Sequence, residues 1–235
     1  VILIVGMIII YRQVGFVQNK NLGFDRENLV YFPIEGELFK KFDLLKEKLG
    51  QVAGVKHVSH MTATPASNGN GTEGITWPGS DPNAQVRFTP VGVGYDFTKT
   101  MNLKMAGGRD FSKNFPTDSS GVIVNKTAVK VMGFKDPVGH EINWGKSKIH
   151  IVGVLKDFHY QSLHTAIRPL IAYLGAREPQ GSVVVRIQAG KTPETLAAME
   201  RICQKLNPNV PFTYAFTDQE EARQYQSEQG VGKLA

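Results

Sequence analysis

The residues best equipped for chemistry lie in one stretch, Lys156-Asp157-Phe158-His159-Tyr160-Gln161-Ser162-Leu163-His164. Two imidazoles, a carboxylate and a hydroxyl are the raw material of a metal site or of a hydrolytic triad. A metal site needs converging ligands with a supporting second shell. A spacing of five would put His159 and His164 on different faces of a helix. Asp157, Ser162 and His164 can be imagined as a triad, but the serine lacks the Gly-x-Ser-x-Gly elbow that would expose its hydroxyl. The stretch is therefore expected to be a loop that packs and hydrogen-bonds where a strand ends.

Other chemical signals are weaker still. Gly92-Val93-Gly94 and Gly107-Gly108 lack the third spaced glycine of a dinucleotide site and the Gly-Lys-Ser/Thr of a P-loop, so both are read as turns. Asp43 and Glu47, and Glu220 and Gln224, lie one helical turn apart and read as solvated faces, with Asp43 near Lys46 as a surface pair. Neither a carboxylate pair nor a Cys-His pair stands out, so catalytic residues, metal ligands and cofactors are all expected to be absent. The single cysteine, Cys203, excludes a disulfide framework and is expected on the buried face of a helix. Residues Ala66 to Asn83 are rich in Gly, Asn, Ser and Pro and should form a surface loop; such loops on rigid scaffolds often carry recognition. Trp77, Asn68 and Asn70 are accordingly the candidate partner-contact residues, while Trp144, beside Gly145, is expected in another loop.

The elements that would position these residues form two copies of one plan. A strand at Asn28 to Ile34 leads to a helix at Leu38 to Val52, whose Phe39, Phe42, Leu45, Leu49 and Val52 share a face. A strand at Val55 to Met61 follows. The later copy has a strand at Ser182 to Gln188, a helix at Pro193 to Leu206 and a strand at Phe212 to Phe216. Thr192 is the expected N-cap of that helix and Asn207-Pro208 its end. Two strand-helix-strand units can share a sheet with both helices on one face, the ferredoxin-like plan, which makes the chain α+β. Between them fall strands at Val86 to Val93, Gly121 to Val124 and Ile149 to Leu155, and short helices at Tyr95 to Leu103 and Lys126 to Met132, a β-rich α+β insertion.

The run Val1 to Ile10 is apolar but for Gly6. A bilayer core needs roughly 20 such residues, so this is half a span and reads as the end of a transmembrane helix whose beginning precedes Val1. Tyr11, Arg12 and Phe16 suit a headgroup belt. A hydrophobic fraction of 41% and a charged fraction of 20% are globular values. The formal charge of +6 comes from scattered lysines and arginines. No nucleic-acid fingerprint accompanies them, so a nucleic-acid partner is not expected.

Several ordered segments resemble a known family. They are Leu22-Gly23-Phe24-Asp25-Arg26-Glu27-Asn28-Leu29-Val30, Gly108-Arg109-Asp110-Phe111-Ser112 and Val122-Ile123-Val124-Asn125 through Asp136-Pro137-Val138-Gly139. They continue with Ile151-Val152-Gly153-Val154-Leu155-Lys156-Asp157-Phe158-His159 and Tyr225-Gln226-Ser227-Glu228-Gln229. Their order resembles the extracytoplasmic domain of MacB-type, FtsX-like ABC transporter permeases. The resemblance implies a porter-like subdomain at 12–62 and 169–217, a Sabre-like insertion at 63–168, a transmembrane helix end at 1–11 and a helix at 218–235 leading to the next span. It also implies a bacterial inner-membrane permease that dimerises and works with a cytoplasmic ABC ATPase subunit. The cargo would be a peptide, lipoprotein or drug, or the domain would meet a periplasmic adaptor. Competing readings are an extracytoplasmic ligand-sensing domain and a membrane-anchored hydrolase using His159 or His164.

Overall fold

The computed structural model describes residues 27–64, 71–81, 83, 86–159, 166–175 and 179–217. The expected transmembrane end at 1–11 and terminal helix at 218–235 lie outside them. Among the described residues no helix is long and apolar enough to cross a membrane.

The first unit comprises β1 (Leu29–Pro33), α1 (Phe42–Gly50) and β2 (Val55–Met61). The second comprises β10 (Ser182–Ile187), α4 (Thr192–Leu206) and β11 (Ala215–Phe216). Their strands lie in the order β11-β1-β10-β2 and every neighbouring pair is antiparallel, which is the split ferredoxin-like arrangement. Alternation decides the faces. Val30 and Phe32 of β1 and Val183, Val185 and Ile187 of β10 join Phe42, Leu45 and Leu49 of α1 and Met199 and Cys203 of α4 in one core.

The intervening chain supplies β3 (Ile75–Thr76), β4 (Thr89–Val93), α2 (Phe97–Met101), β5 (Met105–Gly108), β6 (Gly121–Asn125), α3 (Lys126–Met132), β7 (Glu141–Trp144), β8 (Ser147–Leu155) and β9 (Leu170–Leu174). The sheet continues from β2 through β4-β9-β6-β8-β7-β3, with β5 also paired to β8. A parallel pairing of β4 with β9 and of β6 with β8 makes it mixed. Helix α3 covers one face through Ala128 and Met132, against Val122, Val124, Ile151 and Ile171.

Several boundaries differ from expectation for identifiable reasons. The helix predicted from Leu38 begins at Phe42, because Gly36–Leu38 forms a 3-10 turn; Phe39 is left 42% exposed and off the buried stripe. Lys191, not Thr192, takes the N-cap of α4, and its side chain makes no capping bond. Strand β11 shrinks to two residues behind Pro211, which cannot donate to a ladder. Helix α2 is only Phe97–Met101, bounded by Asp96 at φ 66° and Asn102 at φ 53°, both left-handed. Trp144 lies in β7 rather than a loop. Gly107-Gly108 and Gly92-Val93 are strand residues rather than turns; Gly108 lies against the Val152 backbone and Gly92 against the Thr62 and Tyr173 side chains.

Gly153 of β8 shows the same close packing. A Cβ there would collide with the Arg109 carbonyl oxygen and approach Met105 Cε to 2.6 Å, whereas one on Gly107 would meet no heavy atom within 4 Å. Gly153→Ala should therefore cost about 2 kcal/mol or more, and Gly107→Ala should stay within about 1 kcal/mol of the parent. Urea unfolding of the two variants checks this; equal costs would contradict the close approach.

Candidate partner-contact surface and buried seam

The loop candidates divide. Trp77 follows β3 at one end of the sheet; its ring is half-buried and meets Phe88 edge-on at 5.9 Å between centroids. The Trp77 backbone N–H donates to Ser80 Oγ at 3.3 Å. Trp77 is thus anchored on the core that also holds Ile75 and Phe88. Asn68 and Asn70 lie outside the described residues. Trp144 likewise packs edge-on against Tyr173 at 5.5 Å.

Of the chemistry candidates, Asp157 and His159 fall within the described residues. Asp157 accepts from Thr127 N at 2.9 Å and Thr127 Oγ1 at 3.0 Å, so its carboxylate is spent on the start of α3, which Asn125 also caps through Ala128 N. His159 is half-buried after β8, and Ser162 and His164 lie outside the described residues. Among the described residues no group of three or more His, Cys, Asp or Glu is placed to hold a metal. Cys203 is buried on α4, and burial pushes its thiol up to about 12, an inert core residue. Lys46 does not pair with Asp43; its ammonium bonds the Tyr95 carbonyl at 2.9 Å and Asp96 at 3.2 Å.

What the fold does bring together is a seam between the two groups of strands. Only Met61 and Val93 pair in register between β2 and β4. Thr62 N donates to Gly92 O at 2.8 Å, Gly94 N to His60 O at 3.0 Å, and Gly92 N to Thr62 Oγ1 at 2.9 Å. Side chains supply the rest. Leu29, Met61 and Val184 from the ferredoxin-like strands share a core with Val91, Ile123, Val152, Leu155 and Leu170, and α2 inserts Phe97 and Met101 between them.

Two polar devices fasten α2 into this seam. Arg186, an almost fully buried charge in an apolar strand, donates from Nε to Thr100 O at 2.9 Å and from Nη1 to Glu27 O at 2.6 Å. The second device is the Gly108-to-Ser112 motif. Asp110 accepts from Thr98 Oγ1 on α2 and from Phe111 N, while Phe111 enters the shared core. Burial pushes the Asp110 carboxyl up, and those bonds oppose the shift. Arg109 forms a bidentate pair with Asp118 at 2.7 and 2.8 Å and lies 3.8 Å from the Phe115 ring centroid. Burial disfavours the Asp118 charge, yet the Arg109 and Ser112 N bonds hold its carboxyl below the ordinary range. Arg186 had a readable signal, one cation inside Ser-Val-Val-Val-Arg-Ile; its partners are 86 and 159 residues away and had none.

An α+β domain built on a split ferredoxin-like set of strands, with further strands of the same mixed sheet inserted between its halves, is the class these features define. The chain belongs to the MacB-like periplasmic core domain family, whose profile matches residues 2–202. Its fold is similar to the periplasmic region of MacB from Actinobacillus actinomycetemcomitans, at 15% identity and a TM-score of 0.59, covering 88% of this chain and 96% of that one. It is also similar to the extracellular domain of the noncanonic ABC-type transporter YknZ from Gram-positive bacteria, at 17% identity and 0.53, covering 79% and 97%. A domain of a putative permease protein from Porphyromonas gingivalis matches at 13% and 0.52, covering 81% and 93%. A curated relative, the macrolide export ATP-binding/permease protein MacB 2 of Aeromonas hydrophila, is 26% identical over 136 residues, covering 53% of this chain. The chain spans 21% of that relative's length.

The seam also contains His60, 1% exposed on β2. Its Nε2 donates to Gly175 O at 3.2 Å, its Nδ1 has no partner, and Phe42 meets the ring edge-on at 4.7 Å. Burial lowers its pKa to about 4, with Lys46 lowering it further and the Gly175 carbonyl and Asp43 opposing. Between about pH 6.5 and 4 the unfolded chain therefore binds more protons at this site than the folded one, so stability falls as pH falls through that window. The loss attributable to His60 should approach about 3 kcal/mol. His60→Gln should flatten that part of a urea-unfolding pH profile; an unchanged slope would mean that the ring protonates in place.

Proposed function

We propose that the chain is the extracytoplasmic domain of an ABC transporter permease in a bacterial inner membrane. It is a non-catalytic module that carries ATP-driven movement of membrane helices into a shear between its two groups of strands. The observation that carries this reading is where the ends lie. β1 and β11 pair antiparallel with Val30 opposite Phe216, and Thr217 Oγ1 donates to Leu29 O at 3.3 Å. Segments 1–26 and 218–235 thus join neighbouring strands at one rim. Two membrane tethers there would turn a change in their separation into a load on the sheet.

In this reading 12–62 and 169–217 form the porter-like subdomain and 63–168 the Sabre-like one, with hinges near Thr62 and Pro169. Both hinge points bond β4 or its edge, Thr62 N to Gly92 O and Pro169 O from Thr89 N at 2.8 Å. The partners are a cytoplasmic ABC ATPase subunit, a second permease copy, and a peptide, lipoprotein or drug cargo or a periplasmic adaptor. The Ala66-to-Asn83 loop is the contact for cargo or adaptor, with Trp77, Asn68 and Asn70 as its contact residues.

Two measurements test this. The parent reading frame should encode membrane spans on both sides of residues 1–235 and lie beside, or be fused to, an ATP-binding cassette; a flanking kinase would favour the sensor reading. In that parent, Asn68→Ala/Asn70→Ala should reduce transport about tenfold with expression and ATPase activity retained, a loss of contact energy near 1.4 kcal/mol. Undiminished transport would remove the loop from the contact surface.

A further inference from the structure

The entry of the chain into its first strand and the short helix that fills the seam share one cation. Arg186 lies on the face of β10 opposite Val185 and Ile187, level with Leu29 of β1. It is 6% exposed, and its guanidinium spans two backbone carbonyls, Glu27 O through Nη1 at 2.6 Å and Thr100 O through Nε at 2.9 Å. Glu27 is where segment 1–26 joins the fold. Two residues on, the Leu29 carbonyl accepts from Thr217 Oγ1, where segment 218–235 leaves it. Thr100 belongs to α2, whose Thr98 hydroxyl donates to Asp110, and the neighbouring Arg109 N donates to Val152 O of β8 at 3.1 Å. A continuous line of contacts therefore runs from the chain's entry through α2 to the inserted strands.

Two features suit this line to carrying position rather than adding stability. A buried cation is costly, and an apolar side chain of similar size would pack this face at no greater cost. The planar fork of a guanidinium, however, holds two acceptors at a fixed separation, which a single ammonium does not. The second feature is Asn28, left-handed at φ 57°. Rotation about its N–Cα bond swings the Glu27–Asn28 peptide plane and the Glu27 carbonyl with it, while the Asn28 carbonyl stays on Ile187 N at 2.8 Å. The left-handed turn thus aims the Glu27 carbonyl at Arg186.

We propose that Arg186 couples the chain's entry to the seam: a change in the placement of Glu27 is delivered through the guanidinium to Thr100 and repositions α2. Its use in transport rests on the tethered reading above; the coupling itself does not.

The test is amide hydrogen exchange of the 235-residue chain, read at Thr100 N and Leu103 N, which bond Asp96 O and Thr98 O at 2.8 Å each and report the opening of α2. Asn28→Val, a β-branched residue that resists the left-handed backbone, should raise their exchange about fivefold relative to the β10 ladder, the equivalent of one hydrogen bond. Asn28→Gly, which keeps that backbone, should change it less than about twofold. In an Arg186→Met background the Asn28→Val change should add less than about twofold, because the link is already cut. Arg186→Lys, which holds one carbonyl at a time, should do the same and covers a failure of Arg186→Met to fold. A response to Asn28→Val of equal size with and without Arg186, or none with Arg186 present, would overturn the proposal. So would equal responses to Asn28→Val and Asn28→Gly. Membrane spans missing from the parent reading frame would end the permease reading and leave these exchange rates unaffected, so the two failures are separable.

Discussion

The molecule depends on one apolar core shared by two groups of strands that hardly pair. Between β2 and β4 the ladder amounts to Met61 opposite Val93 and the flanking bonds of Thr62 and Gly94. A backbone connection that short cannot hold two sheet segments at a fixed angle, because each bond is worth only about 1 kcal/mol net. The packing of Phe97 and Met101 between Leu29, Val184, Ile123 and Leu155 does so instead. Each fully buried side chain of that size contributes about 1.5 to 3 kcal/mol, so the short helix α2 outweighs the ladder it bridges.

A five-residue helix does not hold its own shape, and the polar contacts around it follow from that. Its ends are set by two left-handed residues, its carbonyl at Thr100 is taken by Arg186 and its hydroxyl at Thr98 by Asp110. Burying Arg186 and Asp110 is costly in itself and is offset only where bonds meet them. The fold places both groups where they fix α2 against different halves, Arg186 from β10 and Asp110 from the strand end after β5. The Gly108-to-Ser112 segment therefore reads as a fastening rather than a ligand site. Gly108 at φ 64° lets the chain turn against the Val152 backbone, Phe111 fills the core, and Arg109 with Asp118 ties off the loop that follows.

Local patterns carried much of this into the sequence, and long-range ones did not. The faces of α1 and α4 were legible because Phe42, Leu45, Leu49, Met199 and Cys203 repeat at helical spacing. The paired strand-helix-strand plan was legible for the same reason, and the split ferredoxin-like order followed from packing both helices on one face. Glycines were misread as turns because close approach depends on a neighbour remote in sequence, Tyr173 and Thr62 for Gly92 and Val152 for Gly108. Phe39 kept the periodicity yet lost its burial to a 3-10 turn at a left-handed Gly36. Of the candidate contact residues, Trp77 alone falls within the described residues, and its half-buried ring shows why aromatic type by itself does not distinguish anchor from contact. His60 and Arg186 depend on register between strands far apart in the chain, which no window of sequence contains.

The same physics indicates where a load would be absorbed. Pulling β1 and β11 together against the inserted strands strains extended antiparallel ladders lengthwise, where many bonds share the load along β10 with β1 and β2. At the seam few bonds share it. Close-packed cores resist gradual deformation and move between discrete packings. Slippage of α2 over β2 and β10 would break the Arg186 contact and leave Thr98 on Asp110, while the ferredoxin-like core beneath α1 and α4 stays intact. The buried, unprotonated His60 lies at that same junction, so a shift that admitted water there would also restore its ordinary affinity for a proton. Under the proposed shear, mechanical state and protonation state would be linked at this residue through its burial.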